Sequence, residues 1–160
     1  TIIVSMGAVS TELIIVTAGN IIFTRSIANG GMNLTKAIMT EFNLPQNQAE
    51  QYKQSYGLDN DKLGGKVASA LKPLLEILIS EVLKAVEFSH THVVKSGVTR
   101  LVICGGGAFL PGLTQFLTEK TSLEVMLGDP WTNFTKEGLI LKMPGAGAHY
   151  CVATGLAQRA

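Results

Sequence analysis

Three short stretches of this sequence hold residue types that can bind charged or flat ligands. The first is Ser5-Met6-Gly7-Ala8-Val9-Ser10-Thr11, a glycine-centred turn between two apolar runs. Such a turn can aim successive backbone N–H groups outward and hold a phosphate, with the Ser10 and Thr11 hydroxyls as further donors. The same composition also makes an ordinary hairpin. The second stretch runs from Cys104 through Gly105-Gly106-Gly107 to Leu110, Pro111 and Leu113. Three glycines between a strand pattern and a helix pattern let backbone approach a flat or anionic ligand without side-chain obstruction. They also permit a tight strand-to-helix turn with close packing. The third is Ala49-Glu50-Gln51-Tyr52-Lys53, where Glu50 and Lys53 share a helix face. They can pair with each other, or offer one acceptor and one donor to a ligand hydroxyl such as those of a ribose.

Other chemistries lack their parts. The glycine run has no Gly-Lys-Ser/Thr ending and no G-x-G-x-x-G with a following acid, so it is neither a Walker loop nor a dinucleotide fingerprint. No catalytic triad, no paired carboxylates and no Cys/His cluster at metal-ligand spacing is present, and His90, His92 and His149 have no acidic or thiol partner at such spacing. Cys104 and Cys151 are expected to be two buried reduced thiols rather than a disulfide. With 16% charged residues and a formal net charge of +1, nucleic acid is not an expected partner. The longest apolar runs, such as Leu13 to Val16, are strand length and far short of a membrane span. The chain opens on Thr1-Ile2-Ile3-Val4, the interior of a strand pattern, and is expected to be a fragment of a longer protein.

The elements that must position these stretches can be read from periodicity. Strands are expected at Ile2–Val4, Glu12–Thr17 and Ile21–Ile27, the last two joined by an Ala18-Gly19-Asn20 hairpin loop. Asn33 is placed to cap a helix ending near Phe42, with Leu34, Ala37, Ile38 and Phe42 on one face. Pro45 opens a second helix that Gly57 ends. After a polar loop over 57–66, a long amphipathic helix carries Val67, Leu71, Leu74, Leu78, Val82 and Val86 to about Val94, with Pro73 kinking it or marking its true start. A strand at Leu101–Cys104, a helix from Pro111 to Lys120, a strand at Glu124–Leu127 and an Ala/Gly-rich helix from His149 to Arg159 complete the pattern. Strands first in a meander and later between helices predict a mixed α/β domain.

Taken in order, a strand–glycine turn–strand, a downstream Ala-Glu-x-x-Lys helix, a strand followed by Gly-Gly-Gly and a closing Ala/Gly helix resemble the second half of the actin, Hsp70 and FtsA superfamily. More narrowly the chain resembles the type IV pilus assembly PilM family, through Gly7-Ala8-Val9-Ser10-Thr11-Glu12-Leu13, Phe23-Thr24-Arg25, Gly30-Gly31 with Leu34-Thr35, Ala49-Glu50 with Lys53, Val86-Glu87-Phe88, Gly105 to Leu113, Asp129-Pro130-Trp131 and Thr154-Gly155-Leu156-Ala157. The resemblance implies an RNase H-like core over 1–29 and 66–160, with an inserted helical subdomain over 30–65. It implies an ATP site in which Gly7, Ala8, Ser10 and Thr11 form the second phosphate loop, Glu50 and Lys53 face the ribose, and Gly105, Gly106, Gly107 and Leu110 line the adenosine side. Magnesium would accompany the ATP. The closing helix would lie at the domain hinge, where Ala153, Gly155 and Ala157 permit close approach. The family's phosphate turn opens with Asp where Ser5 stands here, which bears on hydrolysis more than on binding. The implied partners are an upstream actin-like half, a PilN-like membrane protein and the pilus motor, at the cytoplasmic face of the inner membrane. A filament-forming cell-division ATPase of the FtsA type, or an interaction module without nucleotide, are the alternatives.

Overall fold

The computed structural model describes residues 1–92, 97–132, 134 and 147–159. Five strands form one sheet in the order β3-β2-β1-β4-β5. These are β1 (Ile2–Met6), β2 (Thr11–Thr17), β3 (Asn20–Ile27), β4 (Arg100–Cys104) and β5 (Glu124–Leu127). The first three make an antiparallel meander, while β4 and β5 run parallel to β1. Alternation decides which face is covered: Ile2, Val4, Met6, Leu13, Ile15, Leu101 and Ile103 are all buried, whereas the residues between them in β1 and β2 are half-buried.

That buried face packs against α3 (Lys66–His92), whose Val67, Leu71, Leu75, Leu78 and Val82 form the helical side of the core, and against Leu113 and Leu117 of α4 (Leu113–Thr121). Burying each such side chain contributes about 2 kcal/mol before the cost of ordering it. Helix α3 starts at Lys66, so Pro73 lies inside it and does not mark its start. Its predicted end at Val94 falls outside the described residues. Helix α5 (Gly147–Ala157) meets the other face of the sheet beside β4: a Cβ on Gly128 would touch Cys151 Sγ, Cys104 Cβ and Val102 Cγ1 together. Both cysteines are free thiols; Cys104 is buried and Cys151 only half-buried. Burial, with Cys104 adjacent, pushes the Cys151 thiol up to about 11.

Between β3 and α3 lie α1 (Gly31–Phe42) and α2 (Gln46–Tyr56), which pack on each other through Phe42, Tyr52 and Tyr56. Pro45 precedes α2 and Gly57 ends it, as the sequence predicts. Two helix starts differ from expectation. Asn33 is not the cap of α1, which begins two residues earlier after Gly30, with no side-chain cap. The first amides of α1 instead donate to backbone carbonyls of the β1–β2 hairpin, Gly31 to Gly7 (2.9 Å) and Met32 to Ala8 (2.8 Å), so no polar side chain is needed there. Helix α4 begins at Leu113 rather than Pro111, because Gly112 adopts a left-handed conformation (φ +78) that separates it from a short 3₁₀ turn at Gly106–Phe109.

Candidate functional site

A cavity of about 610 Å³ opens between α1, α2, the β1–β2 hairpin and the loop after β4, a size that suits a small-molecule ligand. Its walls include Gly7, Ala8, Glu50, Lys53, Gly106, Gly107 and Leu110. Seven of the ten residues singled out from sequence therefore meet on one surface. Ser10, Thr11 and Gly105 stand behind it. Ser10 donates to Glu12 (3.1 Å), and Thr11 is buried and donates to the Asn29 carbonyl at 2.6 Å.

The hairpin owes its shape to its own backbone. Gly7 N–H donates to the Ser10 carbonyl at 2.9 Å, which closes the turn and leaves Ala8 and Val9 at an exposed tip. Gly30 allows α1 to dock on that tip, since a Cβ there would lie 2.6 Å from the Ala8 carbonyl oxygen.

The polar wall is a single network. Lys53 Nζ donates to the Gly31 carbonyl (3.1 Å), the Thr35 hydroxyl (2.9 Å) and Glu50 Oε2 (2.7 Å), which engages all three of its protons. Thr35 also approaches Glu50 Oε2 at 2.6 Å, and Gln54 donates to Glu50 Oε1 at 3.0 Å. Burial pushes the Glu50 carboxyl up, but the bonds from Lys53 and Thr35, the Lys53 charge and the Gln54 bond together hold it below its ordinary value of 4.5. The Lys53 side chain is only 13% exposed while that of Glu50 is 39% exposed, so the ammonium is sheltered and the carboxylate stays open to solvent. Glu50 lines the cavity and, as a carboxylate accepting three bonds, retains acceptor capacity.

Gly31, Met32, Leu34, Thr35, Gln46, Gln54, Phe109 and His149 also line the cavity and were not singled out as site residues from sequence. Thr35 had a visible signal, a hydroxyl on the apolar face of α1 one turn after Gly31. His149 had none, because it arrives from a distant part of the chain. The Gly105 amide holds α5 in place by donating to the Ala148 carbonyl at 2.8 Å.

Sheet order, flanking helices and a cleft ringed by two glycine turns define an actin-like ATPase fold with an RNase H-like core. The solved structure of MreB5 of Spiroplasma citri bound to AMPPNP superposes with a TM-score of 0.73 at 18% identity, over 98% of this chain and 51% of that one. The ethanolamine utilization protein EutJ of Carboxydothermus hydrogenoformans gives 0.68 at 17%, over 98% and 48%. A chain of the PilM–PilN type IV pilus biogenesis complex gives 0.77 at 26%, over 99% of this chain and 45% of that one. Among curated proteins, EutJ of Escherichia coli K12 is 25% identical over 126 residues, covering 78% of this chain and 40% of its own length. The chain thus spans less than half of the curated relatives it matches. The family model described as "Type IV pilus assembly protein PilM" matches residues 1–160, and the chain belongs to that family.

Among the described residues no helix is long and apolar enough to cross a membrane.

Proposed function

We propose that this chain supplies one wall of an ATP site in an actin-like component of the type IV pilus assembly platform, where nucleotide acts as a conformational signal. Residues 1–29 and 66–160 form the core of this unit and 30–65 a helical lobe closing over the cavity. The observation that supports the reading best is the convergence of Gly7-Ala8, Glu50 with Lys53, and Gly106-Gly107 on one cavity of about 610 Å³. Backbone at the two glycine turns suits phosphate and base, and the free acceptor capacity of Glu50 suits a ribose hydroxyl. Magnesium is a different matter. Among the described residues Glu50 is the one acid lining the cavity, and it is tied to Lys53. Among the described residues no group of three or more His, Cys, Asp and Glu side chains is placed to hold a metal. The described residues do not fit the ion.

The partners that go with this reading are an upstream actin-like half, a PilN-like membrane protein and the pilus motor, with the assembly on the cytoplasmic face of the inner membrane. Calorimetric titration of Mg-ATP into this chain and into a longer protein carrying the upstream half tests the nucleotide claim. Binding is expected in the longer protein. No heat in either at millimolar ATP rejects the claim.

A second reading, an interaction module without nucleotide, draws on the internal satisfaction of the site: Lys53 has no spare proton, and the Ser10 and Thr11 hydroxyls are engaged elsewhere. The Lys53→Ala variant separates the two. Under the nucleotide reading it loses the ATP-dependent rise in melting temperature that the parent protein shows. Under the module reading neither protein responds to ATP.

A further inference from the structure

We propose that His149 and Phe109 form a paired aromatic platform for the base of the bound nucleotide, which makes helix α5 part of the binding site. This rests on the nucleotide reading above and names residues of that same site. Phe109 ends the 3₁₀ turn after the glycine run, and His149 lies in the first turn of α5. Their rings stack at a centroid distance of 4.2 Å with an interplanar angle of 14°. Both line the cavity, and among the described residues they are the only aromatic rings that do.

The position of the imidazole is fixed by backbone. The 2.8 Å bond from the Gly105 amide to the Ala148 carbonyl pins the start of α5 to the glycine loop. A Cβ on Gly106 would stand 3.9 Å from both His149 Cε1 and Nδ1, ordinary contact distance, so the ring lies against the loop at this residue. The other walls of the cavity suit other parts of a nucleotide. The hairpin at Gly7 and Ala8 offers backbone and no ring, and the Glu50–Lys53–Thr35 network is polar. A near-parallel ring pair at the remaining end is a surface that a third flat ring extends, and stacking of this kind contributes whichever polar edge the base presents.

The experiment uses the longest natural form of the protein with ATP as probe, comparing wild type, His149→Ala and His149→Phe. The platform predicts that His149→Ala weakens ATP binding about tenfold, the scale of one lost stacking contact. It predicts that His149→Phe stays near wild type, because the ring is kept. In wild type, the His149 Cε1 proton should move upfield in the NMR spectrum as ATP is added, a ring-current response that a merely structural role for His149 does not produce. Equal affinity of His149→Ala and wild type, or the lack of an upfield shift, overturns the platform and leaves the nucleotide reading standing. A His149→Phe variant as weak as His149→Ala also overturns it, because the imidazole nitrogens would then be the feature required. If wild type binds no ATP at all, both readings fall together. Should His149→Ala fail to fold, the His149→Phe affinity and the wild-type proton shift decide the matter.

Discussion

The hairpin between β1 and β2 and the loop after β4 both border the cavity with glycine, yet their glycines answer to different neighbours. The hairpin closes on itself and is gripped from one side by α1, whose first two amides take the Gly7 and Ala8 carbonyls. In the loop after β4, two of the three glycines are dictated by β1. Gly105 has φ +82, and a Cβ there would sit 2.5 Å from the Met6 carbonyl oxygen; at Gly107 it would sit 2.7 Å from Met6 Cβ. At Gly106 the nearest atoms belong to the His149 ring, 3.9 Å away. One run of identical residues therefore serves two purposes. Its flanks let the loop lie against a strand, and its centre keeps the cavity open. The hairpin tip is braced by α1, whereas the loop lies directly against β1.

The hardest way to break this contrast is Gly105→Ala. The backbone there (φ +82, ψ 176) is open to glycine alone, and the added methyl meets backbone that cannot swing away. A loss of about 3 kcal/mol or more is expected in urea unfolding, from strain and clash combined. A loss under about 1 kcal/mol would mean that β1 does not dictate this glycine.

The grip on the hairpin is tested at Thr35, whose hydroxyl joins the Gly31 carbonyl, Lys53 and Glu50. Thr35→Val keeps the shape and removes the hydroxyl, leaving the sheltered Lys53 ammonium short of a partner. A destabilisation of about 1–2 kcal/mol is expected, together with faster hydrogen exchange at the Gly31 and Met32 amides. If exchange at those two amides is unchanged, the network does not hold α1 to the hairpin.

A smaller effect follows from the charge on Glu50. Its carboxyl titrates below its ordinary value in the folded protein. The unfolded chain therefore binds a proton more readily, and the stability this supplies is present above pH 4.5 and lost as pH falls through the lower, folded value. Acid unfolding of wild type should carry this contribution and Glu50→Gln should lack it, so the stability difference between them narrows as pH drops below 4.5. Parallel pH profiles would remove Glu50 from the account.

Much of this fold was legible because local patterns and tertiary packing agree. Alternation in Ile2–Met6 and Thr11–Thr17, the three-and-four spacing from Val67 to Val86, and the Pro45 and Gly57 punctuation of α2 all report burial or backbone limits that hold within a few residues. The differences from expectation fall where contacts made in the folded chain replace what the local signal suggests. Asn33 was a plausible cap, but α1 already begins at Gly31, and its first amides, on Gly31 and Met32, are taken by hairpin carbonyls more than twenty positions earlier. Ser10 and Thr11 have the right chemistry for a phosphate, but Glu12 and the Asn29 carbonyl claim their hydroxyls. The glycine turns and the Glu50–Lys53 spacing could be read as cavity features only through their order along the chain. No spacing rule brings His149 to Phe109, because the two meet through the docking of α5 on the loop.

The smallest expected stability change, and the sharpest test of the contrast, is Gly106→Ala. The residue is not in the left-handed region, and its new methyl would find only the His149 ring at van der Waals distance. Stability should shift by less than about 0.5 kcal/mol, against the large loss at Gly105 next to it. Ligand binding should move the other way, because the methyl enters the cavity that Gly106 lines beside the imidazole. A variant as stable as wild type with weakened ATP binding would separate the two purposes of the glycine run residue by residue. If Gly106→Ala instead destabilises as much as Gly105→Ala, all three glycines serve packing against the sheet, and the loop's contribution to the cavity is incidental.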